Sequence, residues 1–185
     1  MLSKVIPQKG TLLISEPFMA DDNFKRTVVF LTEHNIEGTV GYILNQKSDF
    51  LLKDVISDCW DSNMQIYIGG PVANDTLHFI HKIPEKVIGG IDLGNGLFWG
   101  GDFESLKLQI NNYNIKEEEI KFFIGYSGWS KNQLDDELAA NSWIVSDKFN
   151  SDMIFDESDI WKEAVLNMGV KYAHIINFPE NPTLN

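Results

Sequence analysis

Arg26 is the only arginine among fifteen basic residues, the rest being lysines. A planar guanidinium fork suits bidentate contact with a carboxylate or phosphate, so Arg26 is a candidate anion-binding residue. It can equally hold a strand entrance through an ion pair with Glu33, Asp21 or Asp22. His34 stands beside Glu33, which permits a carboxylate-oriented general base or a hydrogen-bonded residue at a strand end. Ser127, in Gly125-Tyr-Ser-Gly-Trp129, is expected between a strand and a helix, as in a nucleophile elbow. The glycine follows the serine directly, however, and breaks the required Gly-x-Ser-x-Gly spacing. Ser127, His34 and Glu137 together would be the residue types of a hydrolase. Against that, Asp135-Asp136-Glu137 reads as a solvated helix face. His78 and His81 are three apart and fall on opposite faces of a strand, so they cannot share a metal. No metal or cofactor is expected. Cys59 has no histidine near it in sequence and reads as a packed thiol.

These residues are positioned by a ribbon running from Lys25 to Gln46. Its arms, Thr27–Thr32 and Thr39–Leu44, are β-branched and aromatic. Asn35 to Gly38 supplies the turn, with a glycine able to take φ > 0. Val28 and Phe30 point to one side, Val29 and Leu31 to the other, so both faces must be covered. Arg26, Glu33, His34 and Asn45 mark the ribbon's ends, where sites are commonly built.

Further strands are expected at 10–15, 64–68, 76–82, 87–93, 97–99, 120–126, 142–146 and 172–178, with Gly69-Gly70-Pro71 and Gly94-Asn-Gly96 as turns. Helices are expected at 51–57, at 103–112 capped by Asp102, at 131–140 opened by a Ser130–Gln133 capping box, and at 159–168 ended by Gly169. Ser127-Gly128-Trp129 should turn the chain into the third of these, and Pro179 to Asn185 should trail over the surface. Strands and helices interleave without a regular βαβ beat. The pattern predicts one α+β domain over residues 1–185, with mixed, bent and coiled β-sheets flanked by a few short helices.

Composition narrows the function classes. The chain has 27 acids against 15 bases, a formal charge of −12, with 43 % hydrophobic and 12 % aromatic residues. Its length suits one core. The acidic balance argues against non-specific nucleic-acid binding and against adhesion to anionic membranes. One cysteine, no signal-peptide pattern and no apolar run near the ~20 residues that span a bilayer point to the cytoplasm.

Several stretches occur in an order that resembles the YqgE/AlgH family of small bacterial proteins. They are Gly10-Thr-Leu-Leu-Ile-Ser, Asp22-x-Phe-x-Arg26-Thr-Val-Val, Glu33-His-Asn-x-x-Gly38, Gly41-x-x-Leu-Asn45, Gly69-Gly-Pro-Val72, Gly125-Tyr-Ser-Gly-Trp129, Gln133-Leu-x-x-Glu137 and Trp143. The resemblance implies a compact α+β domain and no established activity. Relatives are often labelled transcriptional regulators, on phenotype more than on a DNA-binding element. Ser127 stands where alanine is frequent in the family, which counts against a mechanism built on its hydroxyl. Arg26, His34, Asn45, Trp129 and Gln133 are the expected ligand-binding residues, and none is assigned catalysis. The leading expectation is a regulatory or accessory protein acting through a small anionic ligand or a protein partner, without direct DNA binding. The competing expectation is a small-molecule hydrolase using a pocket around His34 and Arg26.

Overall fold

The ribbon forms as its alternation dictates, with β2 (Val28–Asn35) and β3 (Gly38–Ile43) pairing antiparallel around a two-residue Ile36-Glu37 loop. The Asn35 side chain closes the loop by accepting from the Glu37 and Gly38 amides at 2.8 and 3.3 Å. Gly38 is required by crowding and not by a positive φ: a Cβ there would sit 2.6 Å from the Trp129 carbonyl oxygen. In the computed structural model, which describes residues 5–59, 61–156 and 158–179, this ribbon lies near the middle of a ten-stranded sheet.

The other strands are β1 (Leu12–Ser15), β4 (Lys47–Leu51), β5 (Gln65–Ile68), β6 (Val72–His81), β7 (Ile91–Gly94), β8 (Leu97–Trp99), β9 (Ile120–Ser130) and β10 (Trp143–Ser146). Their order is β10-β1-β2-β3-β9-β6-β8-β7, with β5 running parallel to β9 and carrying β4 on its far side. The sheet is therefore mixed, in a single domain with short helices, an α+β fold. It bends at Gly125, whose φ of +66° falls within β9. On one side of the bend β9 lies between β5 and β6; beyond it, Ser127–Ser130 pairs with β3.

Both faces of the ribbon are covered. Val28 and Phe30 pack with Ile160, Trp161, Ala164 and Val165 of α4 (Ile160–Asn167). Val29 and Leu31 pack with Trp129, Trp143, and Leu134 and Leu138 of α3 (Gln133–Ala139). Farther along, Leu106 and Ile110 of α2 (Phe103–Asn111) cover Ile66, Phe79 and Phe122. Asp102 caps α2, accepting from the Glu104 and Ser105 amides, and Asp159 caps α4 at the Lys162 amide. Burying a side chain as large as Trp161, 2 % exposed, is worth roughly 5 kcal/mol at ~25 cal/mol per Å².

Several local expectations are corrected. Ser127-Gly128-Trp129 does not turn; it continues β9 as far as Ser130, because β3 is there to pair with it. Residues 172–178 form no closing strand: Val170–Asn177 is a 3-10 helix, and Phe178 is the extended residue that ends it. The 87–93 segment is extended only from Ile91, and the helix at 51–57 shortens to α1 (Leu52–Val55), preceded by β4. The trailing end from residue 180 onward lies outside the described residues, as does Trp60. Among the described residues no helix is long and apolar enough to cross a membrane.

His81, on β6, is fully buried: its Nε2 donates to the Gly100 carbonyl at 3.0 Å and its Nδ1 accepts from the Ile83 amide at 3.3 Å. The Ile83 bond needs the neutral ring, because a protonated Nδ1 cannot accept, whereas the Gly100 bond survives protonation. Burial pulls its pKa below 6.5, although the Gly100 bond and the Glu85 charge oppose that shift. The unfolded chain therefore takes up the proton first. Stability contributed by neutral His81 is expected to be complete above about pH 7 and to fall on acidification below 6.5, by at most ~1.4 kcal/mol per pH unit. Urea unfolding of wild type and His81→Phe from pH 7.5 to 5 should show the wild type converging on the variant. A constant difference would refute this.

Candidate functional site

The five expected site residues fall at two ends of the ribbon. Arg26 and Asn45 meet at the start of β2. Asn45 Nδ2 donates to the Arg26 carbonyl at 2.8 Å and its Oδ1 accepts from the Val28 amide at 3.0 Å. Only an amide side chain offers a donor and an acceptor in that geometry, and here it closes the ladder where Arg26 leaves it with φ of +47°. The Arg26 guanidinium donates from Nη2 to the Phe178 carbonyl and lies over the Trp161 ring at 5.0 Å. Asp22, one of its expected partners, pairs with Lys25. Glu33 is seven residues away along the strand, roughly 20 Å at ~3.3 Å per residue. Arg26 thus fastens the C-terminal segment to the strand entrance.

Arg26→Ala is expected to destabilise the protein by about 1–2 kcal/mol, the sum of a cation–π contact and a hydrogen bond. Arg26→Gly should lose slightly less, because it relieves the positive φ. Trypsin should cut at Lys171 faster in both variants. Unchanged cleavage would mean that the guanidinium does not hold this segment.

His34, Trp129 and Gln133 belong to the other end. The register pairs His34 with Thr39 and Thr39 with Trp129, one row across three strands. His34 Nδ1 and Thr39 Oγ1 are 2.7 Å apart. Beyond them Glu137 is a hub: its Oε2 accepts from the Trp129 and Trp143 indoles at 2.8 and 2.7 Å, and its Oε1 from Gln133 Nε2 at 3.0 Å. Gln133 Oε1 in turn accepts from the Ser130 amide and hydroxyl at 3.0 and 3.2 Å. This is the expected back-bond of a capping box, although the residue preceding α3 is Asn132, in left-handed conformation. Phe24 packs edge-on to Trp143 at 5.3 Å and against Trp129 at 6.1 Å. The reading of Asp135-Asp136-Glu137 as a solvated face therefore fails for Glu137. The four-residue spacing from Gln133 to Glu137 was the available signal, since it puts both on one helix face.

Among the described residues no Ser-His-acid constellation is assembled. Ser127 is fully buried and donates to the Gly69 carbonyl at 2.9 Å, His34 is bound to Thr39, and the Glu137 carboxylate is taken by two indoles. His78 and His81 are likewise engaged separately, His78 with the Thr76 hydroxyl at 2.9 Å. Cys59 is buried, and burial pushes its thiol pKa up.

What remains accessible at this end is the hairpin tip and the clefts beside it. Ile36 projects from the loop, 85 % exposed. On one side a cleft of about 540 Å³ runs between the tip and the β9–α3 connection, lined by His34, Ile36, Thr39, Lys131, Leu134 and Asp135. On the other side a trough of about 410 Å³ is lined by Glu33, Glu37, Val40, Val72, Tyr126 and Gly128.

Fold and site define a small α+β protein whose polar motif residues lock strands and helices together beneath an exposed hairpin. The chain belongs to the AlgH-like family, whose model matches residues 12–173. It is 40 % identical to a UPF0301 protein of Bacteroides thetaiotaomicron over 99 % of this chain and 94 % of that one. A UPF0301 protein of Chlorobaculum tepidum is 39 % identical over 97 % of each. Among solved structures, the AlgH protein from Pseudomonas aeruginosa is 28 % identical with a TM-score of 0.71, covering 92 % of this chain and 94 % of that one. A Corynebacterium diphtheriae protein, 23 % identical and also at 0.71 over 94 % of each chain, shares the fold.

Proposed function

We propose that this is a cytoplasmic accessory protein that works by binding a protein partner at its hairpin-tip end, without catalysis and without gripping DNA. The observation that carries this reading is an exposed apolar residue, Ile36, at the tip of a hairpin held rigid from below. His34, Thr39, Trp129, Gln133 and Glu137 spend their hydrogen bonds within the fold, so the tip is presented as a fixed surface. Fixed, partly apolar protrusions flanked by clefts suit protein recognition. The net charge of −12 disfavours the phosphate backbone of nucleic acid, and α3 exposes Asp135 and Asp136. A regulatory effect on transcription, the expectation that the family resemblance brings, would then run through the bound protein.

The test is a photo-cross-linking amino acid placed at position 36 and, as control, at Val170, which is 93 % exposed on the C-terminal segment. Irradiated cells expressing either variant should yield a discrete protein adduct at position 36 only. Equal adducts at both positions, or none, would overturn the reading.

A further inference from the structure

Resting on that reading, we infer that the partner presents an extended segment bearing a lysine or arginine, which lies in the trough between Glu33 and Tyr126 along the open edge of β9. The sheet itself provides the edge. β6 meets the far half of β9 at Val72–Tyr126; beyond that pair, Gly128, Trp129 and Ser130 have β3 as their only strand neighbour among the described residues. Gly128 and Ser130 are exposed there. A glycine on an open strand leaves the backbone bare for another chain to approach. Its hydrogen already faces the trough: a Cβ at Gly128 would lie 3.2 Å from the Tyr126 ring and 3.9 Å from a Val72 methyl.

The trough's chemistry selects a cation. The register aligns Glu33, Val40 and Gly128 in one row, and Tyr126, two residues from Gly128, shares their face. The floor is apolar and aromatic, with Val72 37 % exposed and Tyr126 partly buried. The rim carries Glu33 and Glu37, neither ion-paired among the described residues; Glu33 only accepts from Asn35 Nδ2 at 2.6 Å. No lysine or arginine among the described residues lines this trough, whereas four other clefts each have at least one lysine. A carboxylate rim over a tyrosine face is the environment that favours a guanidinium or ammonium on an apolar stem.

The experiment uses blocked seven-residue peptides of alternating valine and threonine whose central residue is arginine, glutamine or glutamate. Each is titrated into the isotopically labelled protein. The arginine peptide should shift the Gly128, Ser130 and Val40 amides. Its affinity should exceed that of the glutamine peptide about fivefold, and Glu33→Gln/Glu37→Gln should erase that margin. Gly128→Val should abolish the shifts. Equal affinity for all three peptides, shifts confined elsewhere, or concentration-dependent shifts without peptide, meaning a second copy in the trough, would each overturn the proposal. The cross-link at position 36 separates the two readings. If its yield is undiminished in Glu33→Gln/Glu37→Gln, partner binding stands and the basic segment is wrong; if no adduct forms even in the wild-type background, both fall.

Discussion

Gly69→Ala is expected to lower stability by about 3–5 kcal/mol, a large part of what a domain of this size holds in reserve. The added Cβ would lie 2.3 Å from the Gly125 carbonyl oxygen and 2.8 Å from the ring of Tyr42. Neither neighbour can yield cheaply. Tyr42 is fully buried, and Gly125 is itself wedged, with the Val72 and Gly70 carbonyl oxygens 2.7 and 2.8 Å from where its own Cβ would be. Gly69, just past the end of β5, also ties that strand to β9 and β3: its amide donates to the Ile124 carbonyl, and its carbonyl accepts from the Ile43 amide and the Ser127 hydroxyl, at 2.8, 2.9 and 2.9 Å. Overpacking costs about 1–3 kcal/mol, and displacing three hydrogen bonds adds about 0.5–1.5 kcal/mol each. Gly94→Ala is the control. Gly94 has φ of +86° and open space around it, so only the ~1 kcal/mol of a left-handed alanine should be lost. Urea midpoints at constant m decide the matter; equal losses at the two positions would show that crowding at Gly69 is relieved by a small shift.

Glu137→Ala is expected to cost about 3–5 kcal/mol. It leaves the indole N–H groups of Trp129 and Trp143, residues 4 % and 1 % exposed, without their shared acceptor, and each stranded donor costs about 1–3 kcal/mol. Glu137→Gln keeps one carbonyl oxygen but turns an amide donor toward the remaining partners, and about half the loss should return. The two indole resonances report directly: in the alanine variant both should move and exchange faster with water. Indoles that stay protected in Glu137→Ala would mean that another acceptor replaces the carboxylate. The hairpin tip would then owe its rigidity to something other than the Glu137 hub.

The faces of the ribbon were legible because a strand alternates with period two, and Val28–Leu31 is apolar in both registers whatever lies beyond it. Helix caps were legible for the same reason of locality. Asp102 acts on amides two and three residues away, and Gln133 reaches back three residues to Ser130. The run from Ser127 to Trp129 misled because glycine and serine signal a turn only where no neighbouring strand offers a ladder; β3 does. The C-terminal residues misled in the opposite sense: their apolar alternation suggests a strand, and the chain there takes a 3-10 helix.

What the sequence determined by itself was the class of the fold, the two-faced apolar ribbon, and which polar residues stand apart from the rest. What those residues do was decided by tertiary structure. Arg26 reaches a carbonyl 152 residues away, and Glu137 collects indoles from β9 and β10 on either side of its own helix. Local periodicity says which way a side chain points from its own backbone. It carries no information about which remote donor the folded sheet will bring to that side chain, and it was that pairing which made strand locks of these residues and left the hairpin tip and its acidic trough open.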